Sequence, residues 1–118
     1  MATSPEKTST VILLTNDGMG NADQGLQHKL IRAYLTLLNE HDILPSVICF
    51  FTKGVKLVTE GSPVLDLLSS LEDKGVWLIV CQTCLHHFKL QEKLKVGIVG
   101  GMGDILEAQW RAEKVITL

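Results

Sequence analysis

The sequence lacks any apolar run long enough to cross a membrane. Hydrophobic residues make up 46% of its 118 residues, yet no run approaches the roughly 18 residues that a membrane-spanning helix needs. Residues 1–7 also lack the basic and apolar regions of a secretory signal peptide. These two absences predict a cytoplasmic protein without a membrane partner.

The sequence also has little net charge and few cysteines. Its formal charge is -2 and its 11 Lys and Arg residues are scattered, so no basic surface for a nucleic-acid partner is expected. Three cysteines are an odd number in a chain that is large enough to bury one hydrophobic core. A disulfide framework is therefore not expected, whereas a reduced, reactive thiol is.

Apolar runs of strand length alternate with helical patterns along the chain. Strands are predicted at 10–15, 46–51, 76–80, 95–99 and 114–118. Helices are predicted at 23–40, 63–74, 85–94 and 103–113, with Ser62 as the N-cap of the second helix and a loop at 54–57. This alternation predicts an α/β fold with a parallel sheet and helices on both faces. Residues 1–9 are expected to be disordered or extended, and residues 10–118 to form a single domain.

The first predicted helix carries apolar residues on more than one face. One set follows helical spacing and comprises Leu26, Leu30, Tyr34 and Leu37. A second set widens the stripe and comprises Ile31, Leu35 and Leu38. Because one sheet cannot cover both sets, the second set is expected to be partly buried between the subunits of a homo-oligomer. In the last helix, the residues expected to point inward are Ile105, Leu106 and Trp110.

Two thiols and two imidazoles follow the third predicted strand, where residues 81–87 read Cys-Gln-Thr-Cys-Leu-His-His. Cys81 is predicted at the carboxyl end of the strand, where open α/β sheets place their reactive groups. The N–H groups of the following helical segment, and His86 or His87 as imidazolium, favour a thiolate there. We therefore predict that Cys81 is more reactive than Cys84, and that Cys49 lies in the core.

The cysteine segment allows other interpretations. Free cysteines are often simply buried as small hydrophobic residues. Cys81, Cys84, His86 and His87 are soft ligands that suit zinc, but four ligands within seven residues cannot easily form one tetrahedron. The remaining histidines, His28 and His41, lie within or just after the first predicted helix. No bound metal is predicted.

Other segments could contribute to the site. Gly18 and Gly20 follow the first strand but lack the spacing of a dinucleotide-binding loop, so no cofactor is predicted. Residues 100–103 before the last helix can hold an anion or only form a turn. Lys53 and Lys56 border the second strand and can add positive charge beside the thiol, or be solvated. The auxiliary residues predicted near the site are Asn16, Gly18, Gly20, Lys53, Lys56, Thr83, His86, His87 and Met102.

Two motifs connect the sequence to a known family. Residues 50–57 read Phe-Phe-Thr-Lys-Gly-Val-Lys-Leu, and residues 81–85 fit the pattern Cys-x-Thr-Cys-Leu. With these motifs, nearly the whole chain from Thr10 resembles the DsrE-like sulfur-relay family, and specifically the carboxyl-terminal domain of its YedF branch. Gln82 departs from the pattern because that branch usually has glycine there, and residues 99–101 replace a usual Thr-Asn before Met102.

The resemblance implies a three-layer α/β/α sandwich with a five-stranded, mostly parallel sheet that forms homo-oligomers from dimer to hexamer, a trimer among them. Cys81 matches the cysteine that carries sulfur as a persulfide in this family, and Cys84 is then a resolving or auxiliary thiol. The predicted function is relay of sulfur or selenium within a sulfurtransferase system, with a sulfur-carrier protein of the TusA type as a partner. The alternative is a non-enzymatic oligomeric binding or redox-sensing module.

Overall fold

The computed structural model describes residues 9–118, and the segment predicted at 1–9 lies outside this range except for Ser9. Its centre is one five-stranded sheet in the order β4-β3-β2-β1-β5. The strands are β1 Thr10–Leu14, β2 Val47–Phe50, β3 Trp77–Cys81, β4 Ile98–Gly100 and β5 Lys114–Thr117. All four strand pairs are parallel, which confirms the predicted α/β fold.

Four α-helices and one 3₁₀ helix connect the strands. They are α1 Gln24–Glu40, the 3₁₀ helix Thr52–Val58, α2 Leu65–Asp73, α3 Gln82–His87 and α4 Met102–Arg111. α1 and α2 contact each other over one face of the sheet, and α4 contacts β3 and β4 on the other face. Among the described residues, no helix is both long and apolar enough to cross a membrane.

Two helix boundaries show how local sequence sets the elements. Asp23 caps α1 by accepting a hydrogen bond from the Leu26 N–H at 3.1 Å. α2 ends at Asp73 and is followed by Gly75, which has a φ of 100°, while the Val76 N–H donates to the Leu71 carbonyl. This arrangement is a Schellman motif, in which glycine adopts the left-handed conformation at low cost.

Four predictions about element positions are wrong. Ser62 caps a turn before α2 by accepting from the Val64 N–H at 3.1 Å, so the helix begins later than predicted. The loop predicted at 54–57 lies within the 3₁₀ helix, and the helix predicted at 85–94 is α3 at 82–87. The strand predicted at 95–99 begins at Ile98, because the Lys95 and Val96 N–H groups donate to the Val58 carbonyl instead of joining the sheet.

α1 packs with the opposite set of apolar residues from the one expected to face the sheet. The residues buried within the single chain are Ile31, Leu35 and Leu38, together with the polar residue Gln27. The exposed set comprises Leu26, Leu30 and Leu37. The prediction that Ile31, Leu35 and Leu38 are buried between subunits is therefore wrong, because these three side chains contact the protein's own core.

α4 is also oriented differently from the prediction. Ile105 is buried as expected, but Leu106 is exposed and Trp110 is 82% exposed. Met102, Leu106 and Trp110 are four residues apart along the helix, so they share one face, and this face points to solvent. The prediction that Leu106 and Trp110 point inward is wrong because Ile105, on a different side of the helix, faces the sheet.

Candidate functional site

Cys81 lies where strand and helix meet without a loop between them. It is the last residue of β3, and with a φ of -66° and a ψ of 118° it is also the N-cap of α3. Its position at the carboxyl edge of the sheet agrees with the sequence analysis. The residue is only 2% exposed, so the thiol is covered by the protein in the single chain.

Cys84 lies one helical turn further on and is half-buried. Its Sγ accepts a hydrogen bond from the backbone N–H of Thr52 at 3.0 Å. Burial raises the pKa of the Cys84 thiol, and the hydrogen bond and charge of the neighbouring Cys81 thiol raise it further, whereas the Thr52 N–H lowers it. The net result is a pKa of the Cys84 thiol above its ordinary value.

Thr52 is held in an unusual backbone conformation. Its φ is 48°, which is uncommon for a residue that branches at Cβ. The Oγ1 atom lies 2.5 Å from the Thr15 carbonyl oxygen and 2.6 Å from that of Phe51, so its single hydrogen can bond to either. Thr52 opens the 3₁₀ helix directly after β2. The sequence analysis included Thr52 in a family motif but did not identify it as a site residue.

Gly54 allows the 3₁₀ helix to approach the end of β1. A Cβ atom at this position would lie 1.9 Å from the Leu14 carbonyl oxygen, so only glycine fits without a backbone shift. This close approach fixes the start of the 3₁₀ helix, including Thr52, against the carboxyl edge of the sheet. A glycine three residues after a predicted buried strand was the only sequence signal for this contact.

Lys53 and Lys56 extend from the same 3₁₀ helix. The Lys56 Nζ lies 5.0 Å from the centre of the Phe88 ring, which is a cation–π contact next to the end of α3. Within residues 9–118, neither lysine forms an ion pair with a carboxylate. Both line a cleft of about 320 Å³ that also includes Asn16 and Asp17. Lys53 thus follows Thr52, whose N–H contacts Cys84, and Lys56 contacts the C-cap residue of α3.

The turn after β1 is organised by Gln27, which the sequence analysis missed. Gln27 is buried, and its side chain accepts from the Ala22 N–H at 2.9 Å and donates to the Asp17 carbonyl at 2.9 Å. Gly18 has a φ of 128° and lies against Gln27, where a Cβ would come within 2.5 Å. Asn16 donates to the Gly20 carbonyl at 2.8 Å. These residues build the turn that lines the cleft.

A histidine and a carboxylate are paired beside this turn. The His28 Nε2 lies 3.1 Å from Asp17 Oδ1, and both side chains are mostly buried. They line a second cleft of about 390 Å³ that also includes Lys56 and Phe88. The sequence analysis considered His28 only as a distant metal ligand. The observed pairing could not be read from sequence because the two residues are 11 positions apart across the turn.

The other predicted site residues point to solvent. Thr83, His86 and His87 are exposed on α3, and the His87 ring meets the Phe88 ring edge-on at 4.9 Å. Met102 is exposed at the start of α4. No group of three or more His, Cys, Asp or Glu side chains in the described part of the chain could hold a metal ion.

The loop before α4 satisfies its own backbone. The Gly101 N–H donates to the carboxylate of Asp104 at 2.9 Å, so this N–H is occupied within the chain. Cys49 is fully buried in β2, as predicted, and burial raises the pKa of its thiol to about 11. The structure thus brings Cys81, Cys84 and the Lys53–Lys56 segment together at one edge of the sheet and leaves Cys49 in the core.

Comparisons with known proteins agree with this architecture. A family model described as the DsrE/DsrF-like family matches residues 9–118. A search of the curated proteins gives no match. Similar solved structures include the YchN protein of E. coli, with 18% identity, a TM-score of 0.68 and coverage of 93% of this chain and 99% of that one.

Two further similar structures are proteins of unknown function. The one from Methanobacterium thermoautotrophicum has 19% identity and a TM-score of 0.63, with coverage of 93% of this chain and 99% of that one. The one from Bacteroides thetaiotaomicron has 15% identity and a TM-score of 0.65, with coverage of 98% and 100%. At these identities the similarity establishes the fold.

Proposed function

The chain belongs to the DsrE/DsrF-like family, which is associated with sulfur relay, and on this premise we propose that it carries sulfur as a persulfide on Cys81. The observation that supports the proposal most is the placement of two cysteines one helical turn apart at the carboxyl edge of β3, where Cys84 accepts a backbone hydrogen bond. A carrier needs a thiolate that attacks a sulfane sulfur and little other machinery. The pair supplies this.

Loading is a simple displacement. The Cys81 thiolate attacks the outer sulfur of a donor persulfide, the donor's sulfur–sulfur bond breaks, and the donor leaves as a thiolate. The charge on sulfur is conserved, and no cofactor is required. Selenium has the same chemistry, so the cargo class is sulfane sulfur or its selenium equivalent. Cys84 lies one helical turn after Cys81 and is available as a second thiol.

The low exposure of Cys81 fits a carrier better than a rapidly reacting thiol. A covered persulfide is shielded from oxidants that convert exposed thiolates to sulfenic and higher acids. Loading then requires a movement of α3, which has only six residues and exposes Gln82 and Thr83. Lys53 and Lys56 attract an anionic donor to this edge of the sheet.

We further assign two protein partners. A homo-oligomer would cover the exposed apolar face of α4, which consists of Met102, Leu106 and Trp110. Trp77 and Ile98 lie exposed on the sheet beside α4 and would add to this interface. A sulfur-carrier protein of the TusA type is the proposed exchange partner. The persulfide of such a carrier protein is the kind of donor that the loading step uses. Lys53 and Lys56 are both free of carboxylate partners within residues 9–118.

A redox-sensing module is the second candidate function. It is favoured by the same pair of cysteines, because two free thiols with this spacing can also oxidise to a disulfide without carrying any sulfur. In that case oxidation would change the conformation of α3, and no sulfane sulfur would be transferred.

Intact-mass spectrometry separates the two functions. The protein is incubated with a persulfide donor, and a relay protein gains the mass of one sulfur atom, which a reducing agent removes. Cys81→Ser should abolish this gain, Cys84→Ser should retain it, and Cys49→Ser serves as the control with a buried thiol. A parent protein that loses two hydrogen atoms but never gains sulfur would support the sensor. If Cys81→Ser loads like the parent, Cys84 is the carrier.

A further inference from the structure

The contact between Thr52 and Cys84 joins two distant parts of the chain. The residues are 32 positions apart, yet the Thr52 N–H points at the Cys84 Sγ with a separation of 3.0 Å. Thr52 has a φ of 48°, a conformation that is costly for a β-branched residue. The Oγ1 contacts with the Thr15 and Phe51 carbonyls hold the residue in place.

This donor acts on a thiol whose pKa is raised by its other surroundings. Burial and the neighbouring Cys81 both raise the pKa of Cys84, and the Thr52 N–H is the one contribution that lowers it. A hydrogen bond to a charged group is stronger than a bond between neutral groups. The N–H therefore favours the Cys84 thiolate over the thiol, and this matters only if Cys84 reacts as a nucleophile.

We propose that Thr52 is a positioning residue that prepares Cys84 to release sulfur from the Cys81 persulfide as sulfide. This inference rests on the proposed function. The Cys84 thiolate attacks the inner sulfur of the persulfide, a Cys81–Cys84 disulfide forms, the bond to the outer sulfur breaks, and that sulfur leaves as hydrosulfide. The two cysteines are oxidised and the outer sulfur is reduced, so the step balances without another reactant.

The sequence spacing permits this product. Two residues separate Cys81 from Cys84, and cysteine pairs with this spacing form disulfides at the start of a helix. An external dithiol then reduces the disulfide and returns the protein to its starting state. The released species is therefore free sulfide, and an acceptor of sulfide or a dithiol reductant must complete the cycle.

The test compares three substitutions at Thr52. Thr52→Val removes Oγ1 and disfavours the left-handed conformation, so the N–H turns away from Cys84. Thr52→Ala removes Oγ1 and the methyl group and is not β-branched, which gives a milder variant if Thr52→Val does not fold. Thr52→Asn is the conservative rescue, because asparagine tolerates a positive φ and its side chain can bond to nearby backbone. Asp42→Val is the matched control, since Asp42 also has a positive φ, of 50°, but follows α1 at the opposite edge of the sheet.

Two readouts are measured on the intact protein. The first is the pH dependence of Cys84 alkylation, resolved by mass spectrometry, which should move to higher pH by about half a unit to one unit in Thr52→Val. The second is sulfide release from loaded, desalted protein, which should slow about three- to tenfold. Thr52→Asn should restore both, and Asp42→Val should change neither.

Each outcome has one meaning. If Thr52→Val and Thr52→Ala leave the Cys84 pH profile and the release rate unchanged while the parent loads sulfur, the inference is wrong and the proposed function stands. If the parent never loads sulfur, the proposed function fails, whatever the Cys84 profile shows. If sulfide is released but no Cys81–Cys84 disulfide appears in the mass spectrum, release follows another route and the inference is overturned.

Discussion

The two faces of the sheet are covered to very different extents. On the face under α1 and α2, which we call the closed face, Phe50, Leu78 and Val80 are fully buried. On the face under α4, which we call the open face, Trp77 is 60% exposed and Ile98 is 51% exposed. The closed face therefore holds the single chain together, and the open face offers apolar surface to a partner.

The difference follows from the order of the strands. α1 and α2 both connect neighbouring strands on one side and together supply a long apolar layer. The connection from β4 to β5 returns across the whole sheet with α4, which has ten residues and contacts only β3 and β4 closely. One short helix cannot cover five strands. Each prediction below tests this contrast, from the largest expected effect to the smallest.

Truncation of a closed-face side chain should have the largest effect on stability. Leu35 is fully buried in α1, and Leu35→Ala should lower the free energy of unfolding by about 2–5 kcal/mol at any protein concentration. Leu106→Ala on the open face is the matched control. Its effect in urea denaturation should be small for the monomer and should grow with protein concentration, as expected for an interface residue. If both variants lost the same free energy of unfolding at every protein concentration, the contrast between the closed and the open face would be refuted.

The ionisation of Cys49 tests whether solvent reaches the centre of the open face. Cys49 is in register with Ile79, on the side that α4 covers, and it is fully buried. Its folded-state pKa of about 11 exceeds the ordinary value of 9.0. Below pH 9 both states keep the proton, but between pH 9 and 11 only the unfolded state ionises, so stability falls as pH rises.

The expected loss is about 2 kcal/mol across this window. Urea denaturation at several pH values should show it for the parent, whereas Cys49→Ala should show a flatter pH dependence whatever its absolute stability. A parent protein as stable at pH 11 as at pH 9 would mean that solvent reaches Cys49.

Alanine substitutions at two glycines test what one added methyl group does on each face. Gly97 has a φ of 91°, and a Cβ there would lie 2.9 Å from a Val80 methyl group on the closed face. Gly97→Ala should cost about 1–2 kcal/mol of unfolding free energy. A Cβ at Gly103 in α4 meets nothing within 4 Å, so Gly103→Ala should be neutral or stabilising by up to about 1 kcal/mol. If thermal denaturation showed Gly103→Ala to be less stable than Gly97→Ala, the contrast between the two faces would be contradicted.

Trp110 should affect assembly and hardly affect the fold. Because it is 82% exposed, Trp110→Ser should change the unfolding free energy of the monomer by less than about 0.5 kcal/mol. Light scattering should nevertheless show a lower molecular mass than the parent at micromolar concentration. A parent that is already monomeric would refute the proposed homo-oligomer and leave the open face without an assigned partner.

The sequence predicted the sheet better than it predicted the helix orientations. Continuous apolar runs indicated all five strands, and in the central strands β1, β2 and β3 this pattern reflects burial on both faces. The same density of apolar residues hid which side of α1 faces the sheet, since Leu30 and Ile31 are equally hydrophobic and only packing separates them. Trp110 was misplaced for a related reason, because a large apolar side chain is assumed to be buried unless a partner is known.

Only those parts of the candidate site that depend on neighbouring residues in the sequence were predicted. The position of Cys81 followed from the strand before it, and the burial of Cys49 followed from its place within a strand. The role of Thr52 depends on a backbone angle and on a contact across 32 residues, and neither leaves a local sequence pattern. The His28–Asp17 pair was missed for the same reason.

The position of β5 has a consequence for the chain as it leaves the ribosome. β1 lies between β2 and β5, so one of its edges stays unpaired until residues 114–117 have been synthesised. During that interval the nascent chain presents a strand rich in Val, Ile and Leu with free backbone groups, which another nascent chain can pair with. Translation that stops before Lys114 should therefore yield aggregates, and chaperone capture during synthesis should be greatest just before β5 emerges.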